Sequence, residues 1–478
     1  MTLSRRRSGQ VLQVGQNCWR KAACSRLAFL IDGKSYFDAL AEAFAQAERR
    51  IFILGWDFDS RILLRPDRAG EAQLPLGRYL NNLVARRPEL EIYVLVWRNA
   101  IFYGRGAELM ALMGESWQDH PRIHFKLDDH HPIGACHHQK IVLVDDKIAF
   151  VGGIDLTQRR WDDSRHLTDN PHRRTVEGER HPSTHDVQAL ADGAIAAAVA
   201  ELAADRWRLL TGTVLARVET ETDPWPRHVT PEILNHPVAI ARTQPAYEGQ
   251  RPAQEIAALN VSMLEAAQQS IYIEAQYFAL PDTAEVLAAH LKKRRGPEVV
   301  IVVNGGKQGV IEQYAMTENR DRMFTLLHRA DRHDRLRIFF PLSEAVPPCP
   351  IKVHSKLMIV DDRLLRIGSA NLNRRSTGLD TECDFVVEAE TAAARKAIVG
   401  LRNRLLAEHI GAAEQEFAEL VETTSVIGAI DRLNGRSPRL LLTAEQPNEE
   451  ETTLMTGSGL LDPRRPITLK TLWRWLSS

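Results

Sequence analysis

Residues 138–146 read His-Gln-Lys-Ile-Val-Leu-Val-Asp-Asp, and residues 354–362 read His-Ser-Lys-Leu-Met-Ile-Val-Asp-Asp. Three further landmarks recur in the same order. Ile51-Phe52-Ile53-Leu54 is answered by Ile271-Tyr272-Ile273-Glu274, Arg86-Arg87-Pro88-Glu89 by Arg294-Arg295-Gly296-Pro297-Glu298, and Arg122-Ile123-His124-Phe125 by Arg337-Ile338-Phe339-Phe340. The partners sit 209 to 220 residues apart, so the chain holds two copies of one unit. Within each copy, helical patterns alternate with short apolar runs. The expected class is therefore α/β: two pseudo-twofold-related repeats, each a mixed, largely parallel sheet with flanking helices, sharing one active site. The boundaries read as 1–25 for an N-terminal segment, 26–215 for the first repeat and 216–248 for a Thr-, Pro- and His-rich linker. The second repeat spans 249–410 and a tail 411–478. Residues 35–54 are expected to be a helix that starts on a capping box at Ser35 and Asp38 and runs into a strand. The Ala-rich stretch 187–203 reads as a packed helix.

Charge narrows the class of function. Lys and Arg total 61 against 62 Asp and Glu, a formal net charge of −1, which argues against a protein that coats nucleic acid. The five cysteines form no C-x-x-C pair, so neither a disulfide framework nor a zinc knot is expected and a reducing compartment is the default. Arg5-Arg6-Arg7 is not followed by a signal-peptide core, and no run approaches the length that spans a bilayer. A cytoplasmic or peripheral membrane protein is expected, with leaderless export left open.

The repeated motif carries the chemistry. In a strand, residues i and i+2 share a face, so His138 and Lys140 present an imidazole beside an ammonium, as do His354 and Lys356. Asp145 and Asp361 stand at an odd separation from the Lys, which points to a structural part in a turn. Small-residue segments follow, Gly152-Gly153-Ile154-Asp155 and Gly368-Ser369-Ala370-Asn371. Their glycines allow close approach of the backbone. Asp155, Ser369 and Asn371 can bond phosphate oxygens or orient the histidines. Two histidines and two lysines together suit a phosphoryl centre. The lysines hold anionic oxygens, one imidazole attacks phosphorus and the other protonates the leaving alkoxide. No cofactor and no metal is expected, because the lysines supply the charge stabilisation. The cluster His130, His131, Cys136, His137, His138 is an alternative reading as a metal site, but the second repeat has nothing to match it.

The duplicated His-x-Lys-x4-Asp motif resembles the phospholipase D superfamily over roughly residues 26–410. Gly152-Gly153-Ile154-Asp155-Leu156, Arg160-Trp161-Asp162-Asp163, Ile271 to Phe278 and Asn373-x-x-Ser376 resemble the true phospholipases within it. The resemblance implies a catalytic set of His138, Lys140, Asp145, His354, Lys356 and Asp361. It also implies that an acidic residue downstream of each His orients it: Glu382 after His354, and Asp186 after His138. By the family's precedent the first His is the nucleophile; the residues themselves do not distinguish the two. The segment 164–184 is expected to be a loop inserted over the site. An aromatic often precedes the His-Asp pair in the family, and Thr184 stands there instead, implying different head-group contacts. With only about 25 residues ahead of the first repeat, the family's lipid-binding accessory domains are not expected.

The expected activity is hydrolysis of the distal phosphodiester of glycerophospholipids at a membrane surface. Water or a primary alcohol is the acceptor, and the protein is expected to be a monomer. A cardiolipin-synthase-like phosphatidyl transfer is the alternative. A nuclease ranks below it, since nucleic acid is not an expected partner of a chain with balanced charge, and a decayed binding module ranks last. Head-group choice would reside in the loops 156–184 and 305–325, which carry no readable code. Trp473 and Trp475 in the tail could dock at an interface.

Overall fold

Runs that are apolar at every position, such as Ile51-Phe52-Ile53-Leu54, are stable as strands only when both faces are covered. The computed structural model, which describes residues 9–98, 116–305, 311–345, 347–444 and 462–466, places them so. The first half runs β1 (Arg20–Ile31), α1 (Asp32–Gln46), β2 (Arg50–Gly55), α2 (Leu76–Arg86), β3 (Glu91–Trp97), β4 (Ile123–Asp128), β5 (Ile141–Val144), β6 (Ile148–Gly152), β7 (Thr184–His185), β8 (Val187–Asp192) and α3 (Ala194–Thr211). The second runs β9 (Ile233–Gln244), β10 (Ala253–Gln254), α4 (Glu255–Glu265), β11 (Ser270–Ala275), α5 (Pro281–Lys292), β12 (Glu298–Val303), α6 (Ile311–Ala330), β13 (Leu336–Leu342), β14 (Lys352–Val353), β15 (Lys356–Val360), β16 (Leu364–Gly368), α7 (Arg374–Gly378), β17 (Glu382–Glu388) and α8 (Ala392–Ile410). Helices α9 (Glu414–Thr423) and α10 (Val426–Leu433) and strand β18 (Leu440–Thr443) follow.

One sheet joins the halves. Its order, β4-β3-β2-β5-β6-β8-β1 then β9-β17-β16-β15-β11-β12-β13-β18, is palindromic about the β1–β9 pair, with β18 added at one edge. At that seam Arg20 to Leu27 lie antiparallel to Ile240 to Ile233. The sheet is mixed, but the expected parallel character is confined to the outer triplets β2-β3-β4 and β11-β12-β13. Between them every pairing in this order is antiparallel; in β5–β6 and β15–β16 only three residues join the strands, too few for the crossover that a parallel pair needs.

Several local expectations shift. The 216–248 segment contains β9, the strand at the seam, so only its first part connects the halves. Helix α1 begins at Asp32, a turn before Ser35, and has no side-chain cap. The Ala-rich stretch is strand β8 as far as Asp192. Gly193, at φ +82°, then breaks it before α3. β18 pairs with β13, so the tail extends the sheet. Trp473 and Trp475 and the polar Gln446–Thr453 stretch lie outside the described residues. No helix among the described residues is long and apolar enough to cross a membrane.

Alternation along the strands sorts the core into three parts. Phe52, Leu143, Val151, Ala189, Ile240, Ile359 and Phe385 meet α3 and α8 in one core common to both halves. On the opposite face Ile51, Ile53, Val94 and Val142 pack under α1 and α2. Ile271, Ile273, Ile301 and Met358 pack under α4, α5 and α6.

The Asp-Asp pairs complete this scaffold. Asp145 and Asp146 have φ of +53° and +55°, Asp361 and Asp362 +53° each. The amides of Lys147 and Arg363 bond the carbonyls of Val144 and Val360, at 3.0 Å in both cases. These are type I′ hairpin turns, where Asp tolerates positive φ. The first Asp also clamps the neighbouring loop. Asp145 accepts the N–H groups of Glu48, Arg49 and Arg50 at 2.7–2.9 Å, and Asp361 those of Gln268, Gln269 and Ser270 at 2.7–3.0 Å. Replacing Asp145 by Ala strands three donors and strains the turn, with an expected cost of about 2–4 kcal/mol. The thermal midpoint of Asp145→Ala should fall by several degrees, and by less in Asp145→Asn.

Candidate active site

The strand register puts the two His-x-Lys pairs at one end of the sheet, beside the seam. Lys140 immediately precedes β5 and Lys356 opens β15, while Glu382 opens β17 and Asp186 immediately precedes β8. Short parallel contacts cross between the halves here: β14 pairs with β7, and His137 bridges to Thr381. The amide of His138 bonds the carbonyl of Thr381 at 3.0 Å, and that of His354 the carbonyl of His185 at 2.8 Å.

Each histidine is held by the other half. His138 Nδ1 lies 3.0 Å from Glu382 Oε2, and His354 Nδ1 lies 2.7 Å from Asp186 Oδ2. The expected pairing within each half is thereby corrected to a crossed one. The short His137–Thr381 and β7–β14 contacts carry each carboxylate to the opposite repeat. With Nδ1 committed to a carboxylate, Nε2 is the nitrogen left to act. The His138 side chain is 16% exposed and that of His354 6%.

The carboxylates differ in their own support. Glu382 takes the hydroxyls of Ser369 at 2.5 Å and Ser376 at 2.6 Å. Asp186 Oδ1 takes only the amide of Val187, at 2.8 Å. At Gly153, the counterpart of Ser369, an added Cβ would stand 2.4 Å from Asp186 Oδ1, so no larger residue fits unless the carboxylate moves. Asn373 caps α7 by accepting the Ser376 amide at 3.0 Å, which fixes the Ser376 hydroxyl on Glu382.

The lysines are buried. Lys140 Nζ lies 3.3 Å from Asp155 Oδ2 and donates to the His138 carbonyl at 2.9 Å. Asp155 is steadied by the Trp56 amide at 2.8 Å. Lys356 Nζ donates to Gln276 Oε1 at 2.9 Å and to the His354 carbonyl at 2.5 Å. So Asp155 and Gln276 play equivalent parts from different places in the repeat. Gln276 escaped the sequence reading; its position just past β11, where Trp56 follows β2, is the signal that could have found it. Asn371 is buried and its Oδ1 has no hydrogen-bond partner. Asp145 and Asp361 are not brought into this group. They sit beyond the far ends of β5 and β15, so their place is in the turns described above and not beside the histidines.

Burial governs the electrostatics. It holds both imidazoles well below their ordinary pKa, helped at His138 by Lys140 and Lys356 and at His354 by Lys356, Arg160 and Lys352. Burial also pushes Lys356 down to about 7 and Glu382 up to about 7, and raises Asp186. Arg160 opens the 160–183 segment. That segment is tied down by Asp162, which meets Arg173 at 3.1 Å, His166 at 2.9 Å and the Thr184 amide at 2.9 Å. Two neutral imidazoles between buried cations can receive an anion: an anion entering there gains two ammonium partners and raises the imidazole pKa.

The residues of the alternative metal cluster are engaged elsewhere. His131 takes Trp97 Nε1 at 2.8 Å, and His137 meets Thr381 Oγ1 at 3.0 Å and Asp128 at 3.1 Å. The His130 ring meets Gln250 at 2.7 Å.

The family described as "Cardiolipin synthase, PLD-like domain" matches residues 261–398. Phospholipase D A of Dictyostelium discoideum is 26% identical over 80% of this chain and 35% of its own length. Phospholipase D1 of Saccharomyces cerevisiae is 23% identical over 82% of this chain and 29% of its own. The chain thus spans about a third of the length of these curated relatives. Among solved structures, phosphatidylserine synthase of Haemophilus influenzae Rd KW20 superposes with a TM-score of 0.57 at 14% identity, covering 85% of this chain and 95% of that one, a likeness of fold. Over four-fifths of its length the chain is similar in sequence to these phospholipases D, residues 261–398 match the PLD-like domain family, and the fold is similar to that of the Haemophilus protein.

Proposed function

We propose that the chain is a phospholipase D, cleaving the distal phosphodiester bond of glycerophospholipids through a phosphohistidine. The observation that carries this reading is the crossed pair of carboxylate-held histidines between Lys140 and Lys356. The names of the relatives, phospholipase D A and phospholipase D1, supply the substrate class.

The lysines and Asn371 receive the non-bridging oxygens of the diester. Nε2 of His138 attacks phosphorus as the bond to the head-group oxygen breaks. Nε2 of His354, protonated as the anion binds, passes its proton to the departing alkoxide. The now neutral His354 takes a proton from water, whose oxygen displaces the His138 nitrogen from phosphorus. Phosphatidic acid leaves, and His354 is again protonated. A primary alcohol in place of water gives the phosphatidyl alcohol by the same step. The match to a family described by cardiolipin synthase favours such transfer as the second reading.

Head-group release from phosphatidylcholine or phosphatidylethanolamine vesicles, with and without a primary alcohol and with plasmid DNA as a parallel substrate, tests the proposal. His138→Ala and His354→Ala should each lose about 10³-fold or more in kcat/KM, and labelled lipid should leave acid-labile label on wild type but not on His138→Ala. Lipid hydrolysis persisting in both variants, or cleavage of DNA alone, would overturn it.

The pH profile follows from the two groups near 7. Lys356 carries its proton below about 7, whereas Glu382 carries its charge above about 7. Rate should therefore peak near neutrality. It falls on the alkaline side as Lys356 loses its charge, and on the acid side as Glu382 is protonated and releases the His138 tautomer. Glu382→Gln should lower the maximum and flatten the acid limb; an unchanged acid limb would separate Glu382 from catalysis.

A further inference from the structure

A second group of imidazoles and carboxylates lies behind the candidate active site. Asp32 at the start of α1, His166, His185 of β7 and Glu408 of α8 each offer one atom to a common point, all within 4.8 Å of one another. Asp32, His166 and His185 are fully buried, and the Glu408 side chain is 10% exposed. His166 Nε2 lies 3.2 Å from Glu408 Oε1 and 3.5 Å from Asp32 Oδ2. His185 Nδ1 lies 3.1 Å from Asp32 Oδ1 and 3.2 Å from Glu408 Oε1. Ligands about 2.0–2.1 Å from a tetrahedral zinc stand about 3.3–3.4 Å apart, so these four spacings are those of a coordination shell.

Hydrogen bonding alone explains the group poorly. Among the described residues, buried His185 Nδ1 and Asp32 Oδ2 find no hydrogen-bond partner of good geometry, although carboxylate and imidazole atoms lie 3.1–3.5 Å away. The outward nitrogens are satisfied by carboxylates: His166 Nδ1 by Asp162 Oδ2 at 2.9 Å, His185 Nε2 by Glu274 Oε2 at 3.0 Å. A metal-bound imidazole typically has its other nitrogen held by a carboxylate in this way. Four carboxylates thus surround three imidazoles, His409 meeting Glu274 Oε1 at 2.8 Å. Arg173 sits on Asp162, and Arg439 lies 3.9 Å from Glu408.

We propose that Asp32, His166, His185 and Glu408 bind one divalent transition-metal ion, zinc by the chemistry of two nitrogen and two oxygen donors. The ion pins four segments from both halves. Its effect reaches the active site through β7: His185 bears the carbonyl that receives the His354 amide, and the next residue, Asp186, holds the His354 ring. The role is positional, and no step of the phosphoryl chemistry passes through the ion.

Metal analysis of the full chain purified without chelator should find about one zinc per chain. Zinc removal should lower the thermal midpoint and zinc return should restore it. Cobalt(II) added to the stripped protein should give the visible absorption of a four-coordinate site. His166→Gln should abolish that absorption, Asp162→Asn should weaken binding about 10–100-fold, and His130→Ala should leave it unchanged. Should His166→Gln not fold, Asp162→Asn and the wild-type metal content decide. Folded wild type without stoichiometric metal and without the cobalt spectrum overturns the proposal. So does a spectrum undiminished in Asp162→Asn. None of these readings depends on lipid turnover.

Discussion

The exchange of carboxylates across the seam is the interaction on which the rest of this architecture depends. A histidine from one half is oriented only by an acid from the other, so neither half alone holds an oriented imidazole. The two halves must therefore be fixed to each other within the tolerance of a hydrogen bond. The scaffold meets that demand through the antiparallel β1–β9 pair and through the single core under α3 and α8, which makes relative movement of the halves costly. The cores private to each half, on the opposite face, need only shape their own repeat.

Burial then does the electrostatic work. Two lysines withdrawn from water cost free energy unless paired. Lys140 is offset by Asp155, whereas Lys356 donates to the neutral Gln276 and the His354 backbone and feels the Asp186 carboxylate from behind the His354 ring. The carboxylates that act on Lys356 are each engaged with a histidine, which leaves its ammonium without a direct ion pair among the described residues and suits the proposed binding of an anionic diester. Burial and the neighbouring cations hold the imidazoles neutral, which on the proposed mechanism is the state that a nucleophile requires and a proton donor must leave.

Much of this was legible in the sequence. The duplication, the His-x-Lys pairs and the acidic residues Asp186 and Glu382 are local patterns, and the structure places each at the seam. What was not legible depends on contacts between distant segments. Motif spacing carries no information on which half supplies the acid to His138. Gln276 answers Asp155 from a different loop. The 216–248 segment looks like a linker because Pro237 and its polar neighbours dilute the β pattern, yet it is held as β9 by strands on both sides. Asp32, His166, His185 and Glu408 share no spacing at all. The Asp-Asp pairs were readable as turn residues, and their three backbone acceptor bonds explain why an acid closes the motif without reaching the histidines.

Comparison of the repeats shows where the constraint on residue type is tight. The His, the Lys and the turn Asp recur unchanged, whereas the residues that steady the carboxylates do not. Ser369 and Ser376 brace the longer Glu382 in one half; Gly153 and Arg160 stand at the corresponding positions beside the shorter Asp186 in the other. Bringing an acceptor to within hydrogen-bonding distance of Nδ1 can be done by a long side chain with hydroxyl props or by a short one drawn close to a glycine. The demand is on the position of one oxygen, and different side chains meet it. On the proposed mechanism the imidazole and ammonium allow no such latitude, because their own atoms must meet the phosphate. Divergence is accordingly confined to the second layer, where geometry can be kept while chemistry changes.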